Sequence, residues 1–121
     1  MVIPEGVEKI GAFVFDCCES IENVILPYSL KTIGFDAFCR CKNLKIIVIP
    51  NSVIFIDECA FGICTDLESV TIPKIFMSDI SNIFSYCPNI TSITFTENIE
   101  DKKEEQTWVK LRSRNINDEK R

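Results

Sequence analysis

Seven cysteines carry most of the reactive chemistry of this 121-residue chain: Cys17, Cys18, Cys39, Cys41, Cys59, Cys64 and Cys87. The close pairs Cys17-Cys18, Cys39-x-Cys41 and Cys59-x4-Cys64 raise zinc ligation, disulfide formation and thiol redox chemistry in turn. Zinc needs four ligands converging on one point. Cys18, Cys41, Cys64 and Cys87 instead recur every 23 residues, which sets them in a line, so no metal is expected. Disulfides are geometrically open, because strands about 5 Å apart fall within the roughly 4.4–6.8 Å of bridgeable Cα separations. The odd count, and the lack of a basic then apolar leader in residues 1–11, favour free thiols inside the cell. The periodic cysteines read as small buried hydrophobes. Cys17, Cys39 and Cys59 lie off that period and are expected to be exposed, open to oxidation or dimer formation.

Other catalytic constellations are missing from the sequence. There is no histidine, so a cysteine nucleophile lacks its usual imidazole partner. Neither a Gly-x4-Gly-Lys-Ser/Thr phosphate loop nor a Gly-x-Ser-x-Gly elbow occurs. The carboxylates are scattered rather than paired for acid–base work. The chain therefore reads as no enzyme, with no catalytic residue and no cofactor. Asn89-Ile90-Thr91 matches the glycosylation acceptor pattern, but no glycan is expected without a secretory leader. Thirteen bases against 18 acids give a net charge of −5, which argues against nucleic acid as a partner. No apolar run approaches the roughly 18–20 residues of a membrane span, so no membrane insertion is expected. With 46% hydrophobic and 26% charged residues the chain should fold as one unit.

These cysteines sit in a larger periodicity. Pro4, Pro27, Pro50 and Pro73 step by 23 residues, as do Phe15, Phe38, Phe61 and Phe84. Further columns run through Ile21, Leu44, Leu67 and Ile90, then Val24, Ile47, Val70 and Ile93, then Ile3, Leu26, Ile49, Ile72 and Phe95. Several columns agreeing over four units identify a repeat architecture. Within a unit, the β-branched run Leu44–Ile49 stopped by Pro50 predicts a short strand, recurring at 67–72 and 90–95. Successive strands run the same way, so they predict a parallel sheet with one strand per turn. The apolar spacing in residues 33–41 predicts a short helix in each unit. A 23-residue unit cannot bury both its faces alone, so stacking is obligatory.

The shared pattern x-Ile-Pro-x-x-Val-x-x-Ile-Gly-x-x-Ala-Phe-x-x-Cys-x-x-Leu, clearest over 48–67 and 26–44, resembles the BspA-like leucine-rich repeat family. The resemblance implies an α/β repeat: a leucine-rich repeat solenoid with a parallel sheet, one short strand per 23-residue turn. It implies adhesin-like or surface-antigen-like members that bind proteins, and no catalytic residues. Units fall at 2–24, 25–47, 48–70 and 71–93, with a final strand to 96, giving a repeat domain over 2–96. Residues 97–121 break the pattern and read as a charged C-terminal cap or flexible tail. Phe76 and the pair Asp79-Ile80 make the fourth unit irregular. Asp57 stands in the glycine column of Gly11 and Gly34, where a positive φ is disfavoured and Asp suits a helix cap.

Alternation along the strands places Asn23, Ile25, Ile46, Val48, Ser69, Thr71, Ser92 and Thr94 on the outer sheet face, with Tyr28 at a strand end. Ile25, Tyr28, Ile46 and Val48 would form an exposed apolar patch, a feature of contact surfaces. A protein partner is the primary expectation. The alternatives are a structural fragment that self-assembles through open repeat ends and a redox-responsive thiol protein. The absent leader points to the cytoplasm, and the resemblance to the cell surface if the chain belongs to a longer one.

Overall fold

The computed structural model describes residues 1–97. The expected cap or tail over 97–121 lies outside them except for Glu97. Among these residues six strands are formed: β1 (Lys9–Ile10), β2 (Thr32–Ile33), β3 (Ile46–Val48), β4 (Phe55–Ile56), β5 (Ser69–Pro73) and β6 (Ser92–Thr96). They make two three-stranded parallel sheets, ordered β1-β2-β4 and β3-β5-β6. Partners are one repeat apart throughout, as in Lys9↔Thr32↔Phe55 and Val48↔Thr71↔Thr94. The bridges Val2↔Ile25 and Asn23↔Ile46 carry the β3-β5-β6 ladder back to the N-terminus.

The expectation of one strand per turn is therefore corrected to two extended segments in each of the first three turns. The proline column joins them. The carbonyls of Pro4, Pro27 and Pro50 accept from Val7, Leu30 and Val53 at 3.3, 3.1 and 3.1 Å, closing a four-residue turn in each unit. Each strand of the smaller sheet is only two residues long, too short for alternation to register in the sequence.

The helix expected at 33–41 is also corrected. Residues 35–40 form consecutive turns, with Asp36 at φ 55° and Arg40 at φ 61°. Phe13 and Cys17 in the first unit, and Cys59 and Ile63 in the third, take the same left-handed conformation. Two such residues four apart are incompatible with a right-handed helix, and each costs about 1–2 kcal/mol outside glycine. Backbone bonds between turns offset that cost: Phe15 N–H donates to Ala37 O at 2.8 Å, and Phe38 N–H to Ala60 O at 2.7 Å.

The core lies between the two sheets and this turn column. Leu30, Ile33, Ala37, Phe38, Cys41, Leu44, Val53, Ala60, Phe61, Cys64, Leu67, Val70 and Ile72 are fully buried. The phenylalanine column is a continuous stack, with ring centroids at 5.1, 5.0 and 5.5 Å from Phe15 to Phe38, Phe61 and Phe84. Gly34 does not have a positive φ. It is required because a Cβ there would sit 2.7 Å from Ala12 N and 2.8 Å from Gly11 C, where two turns meet. Asp57 in the same column caps no helix; its Oδ1 accepts the N–H of Glu58 at 2.8 Å.

The fourth unit departs as its sequence suggests. Pro73 leads into a 3₁₀ helix, Lys74–Asp79, followed by the one-turn helix α1 (Ile80–Ile83). Phe76 keeps its column and is buried, and Ile80, one residue late for the Ile10–Ile33–Ile56 column, packs on the core instead. Register is restored at Phe84, which stacks on Phe61.

Candidate functional site

The larger sheet presents two rows of outward side chains. The register aligns Asn23, Ile46, Ser69 and Ser92 in one row, and Val2, Ile25, Val48, Thr71 and Thr94 in the next. Ile25 is 62% exposed, Ile46 52%, Val48 54% and Tyr28 77%. Asn23, Ser92 and Thr94 are exposed, while Ser69 and Thr71 are half-buried. The face thus grades from apolar at its N-terminal end to hydroxyl-bearing at the other.

Val2, 66% exposed, extends the apolar end and was missed by sequence reasoning, because Met1–Pro4 is too short to show alternation. Tyr28 is held at the strand end where its N–H donates to Glu5 Oε2 at 3.0 Å. At the opposite corner Thr96 Oγ1 donates to Asn51 Oδ1 at 2.6 Å, and Asn51 Nδ2 donates to Glu97 O at 2.7 Å.

The thiols divide differently from expectation. Cys17 is exposed and Cys59 half-buried, but Cys39 is only 4% exposed, correcting its assignment to the surface. Burial, with the Asp36 carboxylate nearby, pushes the Cys39 thiol up to about 11. Such a thiol is poorly ionised at neutral pH and a weak nucleophile. The periodic cysteines donate to carbonyls of the preceding turn: Cys41 to Phe15, Cys64 to Phe38 and Cys87 to Phe61, at 3.3, 3.2 and 3.0 Å. All seven are free thiols. Among the described residues, no group of three or more cysteine, aspartate or glutamate side chains converges as a metal site.

Asn89, in the glycosylation pattern, uses its Nδ2 to donate to Thr65 O at 2.6 Å, as Asn43 does to Glu19 O one unit away from its own turn. The atom a glycan would occupy is engaged in the repeat's own hydrogen bonding. Among the described residues no helix is long and apolar enough to cross a membrane.

Comparison with known proteins gives a consistent result. A family model described as "BspA type Leucine rich repeat region (6 copies)" matches residues 1–106. Among solved structures, a leucine-rich repeat protein of T. pallidum is 29% identical with a TM-score of 0.68, over 78% of this chain and 44% of its own. One from Bacteroides ovatus is 35% identical with a TM-score of 0.62, over 75% of this chain and 24% of its own. A leucine rich cell surface protein from Faecalibacterium prausnitzii shares the fold at 21% identity and a TM-score of 0.54, over 85% and 33%. The chain thus spans less than half the length of each. No curated protein matches its sequence.

Proposed function

The chain belongs to the BspA-type leucine-rich repeat family, and on that premise we propose that it is a non-enzymatic protein-binding module. In this reading residues 2–96 are a solenoid of 23-residue turns, and the larger sheet is its binding face. The carrying observation is the contiguous apolar end of that face, Val2, Ile25, Ile46 and Val48, each more than half exposed on residues aligned by the ladder. Exposed apolar side chains gathered on a rigid sheet bind at low cost in lost flexibility. The hydroxyls of Ser69, Thr71, Ser92 and Thr94 supply a polar rim. The adhesin-like or surface-antigen-like role, and a cell-surface location within a longer chain, belong to the same proposal.

A second reading, self-association through a repeat end, is favoured by an apolar cavity of about 310 Å³ on the first turn, lined by Ile3, Val7, Ile10, Val14 and Phe15 among others. Light scattering over a wide concentration range, on the intact chain and on Ile46→Glu/Val48→Glu, separates the two. A concentration-independent monomer removes self-association. Proteins retained on the immobilised chain are then compared with those on the double variant, with circular dichroism confirming that both are folded. Retention lost in the variant supports the sheet face; identical retention sinks it.

A further inference from the structure

The irregular fourth unit leaves the smaller sheet unfinished. In the first turn, Glu8 O accepts from Lys31 and Thr32 N–H at 2.8 and 3.2 Å, and Ile10 O accepts from Gly34 at 2.8 Å. In the second, Lys31 O accepts from Ile54 and Phe55 at 2.8 and 3.3 Å, and Ile33 O from Asp57 at 2.9 Å. The equivalent carbonyls of the third turn, Ile54 O and Ile56 O, receive no backbone N–H among the described residues. The chain that would donate has turned into the 3₁₀ helix Lys74–Asp79 and α1. Among the described residues strand β4 therefore ends its sheet with an unpaired edge.

A groove of about 350 Å³ opens beside that edge, between β4 and the helical segment. Its exposed apolar lining is Ile54, Phe55 and Ile75, over a buried floor of Ile56, Phe76 and Ile83, and its carboxylates are Asp57, Glu58 and Asp79, with no basic side chain among the described residues. Asp79 precedes α1 without capping it through its side chain, so its carboxylate is uncommitted there. Its charged side chains are all negative, Asn82 is its one neutral polar side chain, and the two β4 carbonyls add acceptors. The preceding turns fix how a strand would sit: the donors at Thr32 and Gly34 flank Ile33, whose side chain is buried.

We propose that the β4 edge binds an extended peptide segment of a partner protein in which an apolar residue is flanked by lysine or arginine. The segment adds as a parallel strand. Backbone N–H groups of its two basic residues donate to Ile54 O and Ile56 O, and the apolar side chain between them enters over Ile56, Phe76 and Ile83. The basic side chains project outward to Asp57, Glu58 and Asp79. Main-chain pairing supplies affinity and the alternation supplies selectivity. This site is separate from the larger sheet face and stands or falls independently of it.

The test is a titration of the full, ¹⁵N-labelled chain with a capped Lys-Leu-Lys-Leu-Lys peptide, read by amide chemical shifts. Shifts confined to residues 54–58 and 75–83 are expected. Affinity should fall by about tenfold or more in Glu58→Lys/Asp79→Lys. A peptide methylated on its lysine backbone nitrogens, and one with glutamate for lysine, should each fail to bind the unaltered chain. These two comparisons need no variant to fold. Absence of binding, shifts elsewhere, or equal binding of the methylated peptide overturns the proposal. So does a response of Trp108–Arg114 amides to Glu58→Lys/Asp79→Lys without peptide, which would assign the groove to the chain's own basic segment.

Discussion

The thiol of Cys64 donates to the carbonyl oxygen of Phe38, 26 residues earlier, at 3.2 Å in the buried core. This bond explains why the column is cysteine rather than alanine or valine: the side chain must fill apolar space and also satisfy a backbone acceptor in the turn before. Cys64→Val keeps the bulk but removes the donor. It should destabilise the protein by about 1–3 kcal/mol, the cost of a buried unsatisfied group, while Cys64→Ser, which retains a donor, should cost less. Urea unfolding midpoints decide it, and a neutral Cys64→Val would show that the thiol acts only as filler.

The buried thiols set an alkaline limit. Burial pushes the Cys41 thiol up to about 12, and Cys39 reaches about 11; the neighbouring Cys87 thiol, followed by burial, pushes Cys64 up as well. These thiols ionise near 9.0 when unfolded, so the folded state holds protons that the unfolded state has lost. Their contribution is fully present below about pH 9 and is lost as pH rises toward 11–12. Urea midpoints under reducing conditions should be flat in this contribution from pH 7 to 8.5 and fall by pH 10.5. A rising midpoint over that interval would contradict the burial of Cys39 and Cys41.

The columns of Phe, Cys, Pro and Leu were legible in the sequence because each repeats over four turns and each residue type has a fixed task. The outer face was legible too along β3 and β5, where exposure alternates with the buried columns, but not along β6, where Ile93 of a core column is itself exposed. The turn column was not. Its left-handed positions are held by Phe13, Cys17, Asp36, Arg40, Cys59, Ile63 and Tyr86, with no glycine to mark them, while the apolar spacing of residues 33–41 imitates a helix. Cys39 was misplaced for the same reason: its burial follows from the left-handed residues Asp36 and Arg40 around it, not from any periodicity. The β4 edge lies where a helix replaces a strand of two residues; the break at Asp79-Ile80 marked the irregularity but not the helix that fills it.

Tyr86 isolates the conformational cost of that turn, being 82% exposed at φ 58°. Tyr86→Gly removes almost no packing and should stabilise the chain by up to about 1 kcal/mol, the left-handed penalty less the entropy gained by the unfolded state. Tyr86→Val, branched at Cβ, should destabilise it. Equal stability of the two variants would mean that residue 86 is not left-handed in solution.

Gly34 offers the opposite case, in which space rather than φ is limiting. A methyl group there meets backbone at 2.7 Å and 2.8 Å, and backbone cannot rotate away as a side chain can. Gly34→Ala should cost about 1–3 kcal/mol, with the loss appearing as faster amide exchange in residues 10–12 and 34, whose turns are pushed apart. An unchanged unfolding midpoint would contradict the close approach of the first two turns.

Thiol accessibility tests the division of the cysteines directly. Cys17 is exposed, Cys18, Cys59 and Cys87 are half-buried, and Cys39, Cys41 and Cys64 are buried. Iodoacetamide followed by peptide mass spectrometry should modify Cys17 first. Cys39, Cys41 and Cys64 should react only through opening of the fold, and so speed up in moderate urea as the unfolded population grows. Cys39 is the informative residue, because its position between Asp36 and Arg40 looks like surface in the sequence. If it reacts as fast as Cys17 in native buffer, its burial is wrong and a thiol-based redox role regains a second accessible group; if it lags with Cys64, redox chemistry is confined to Cys17 and the half-buried thiols.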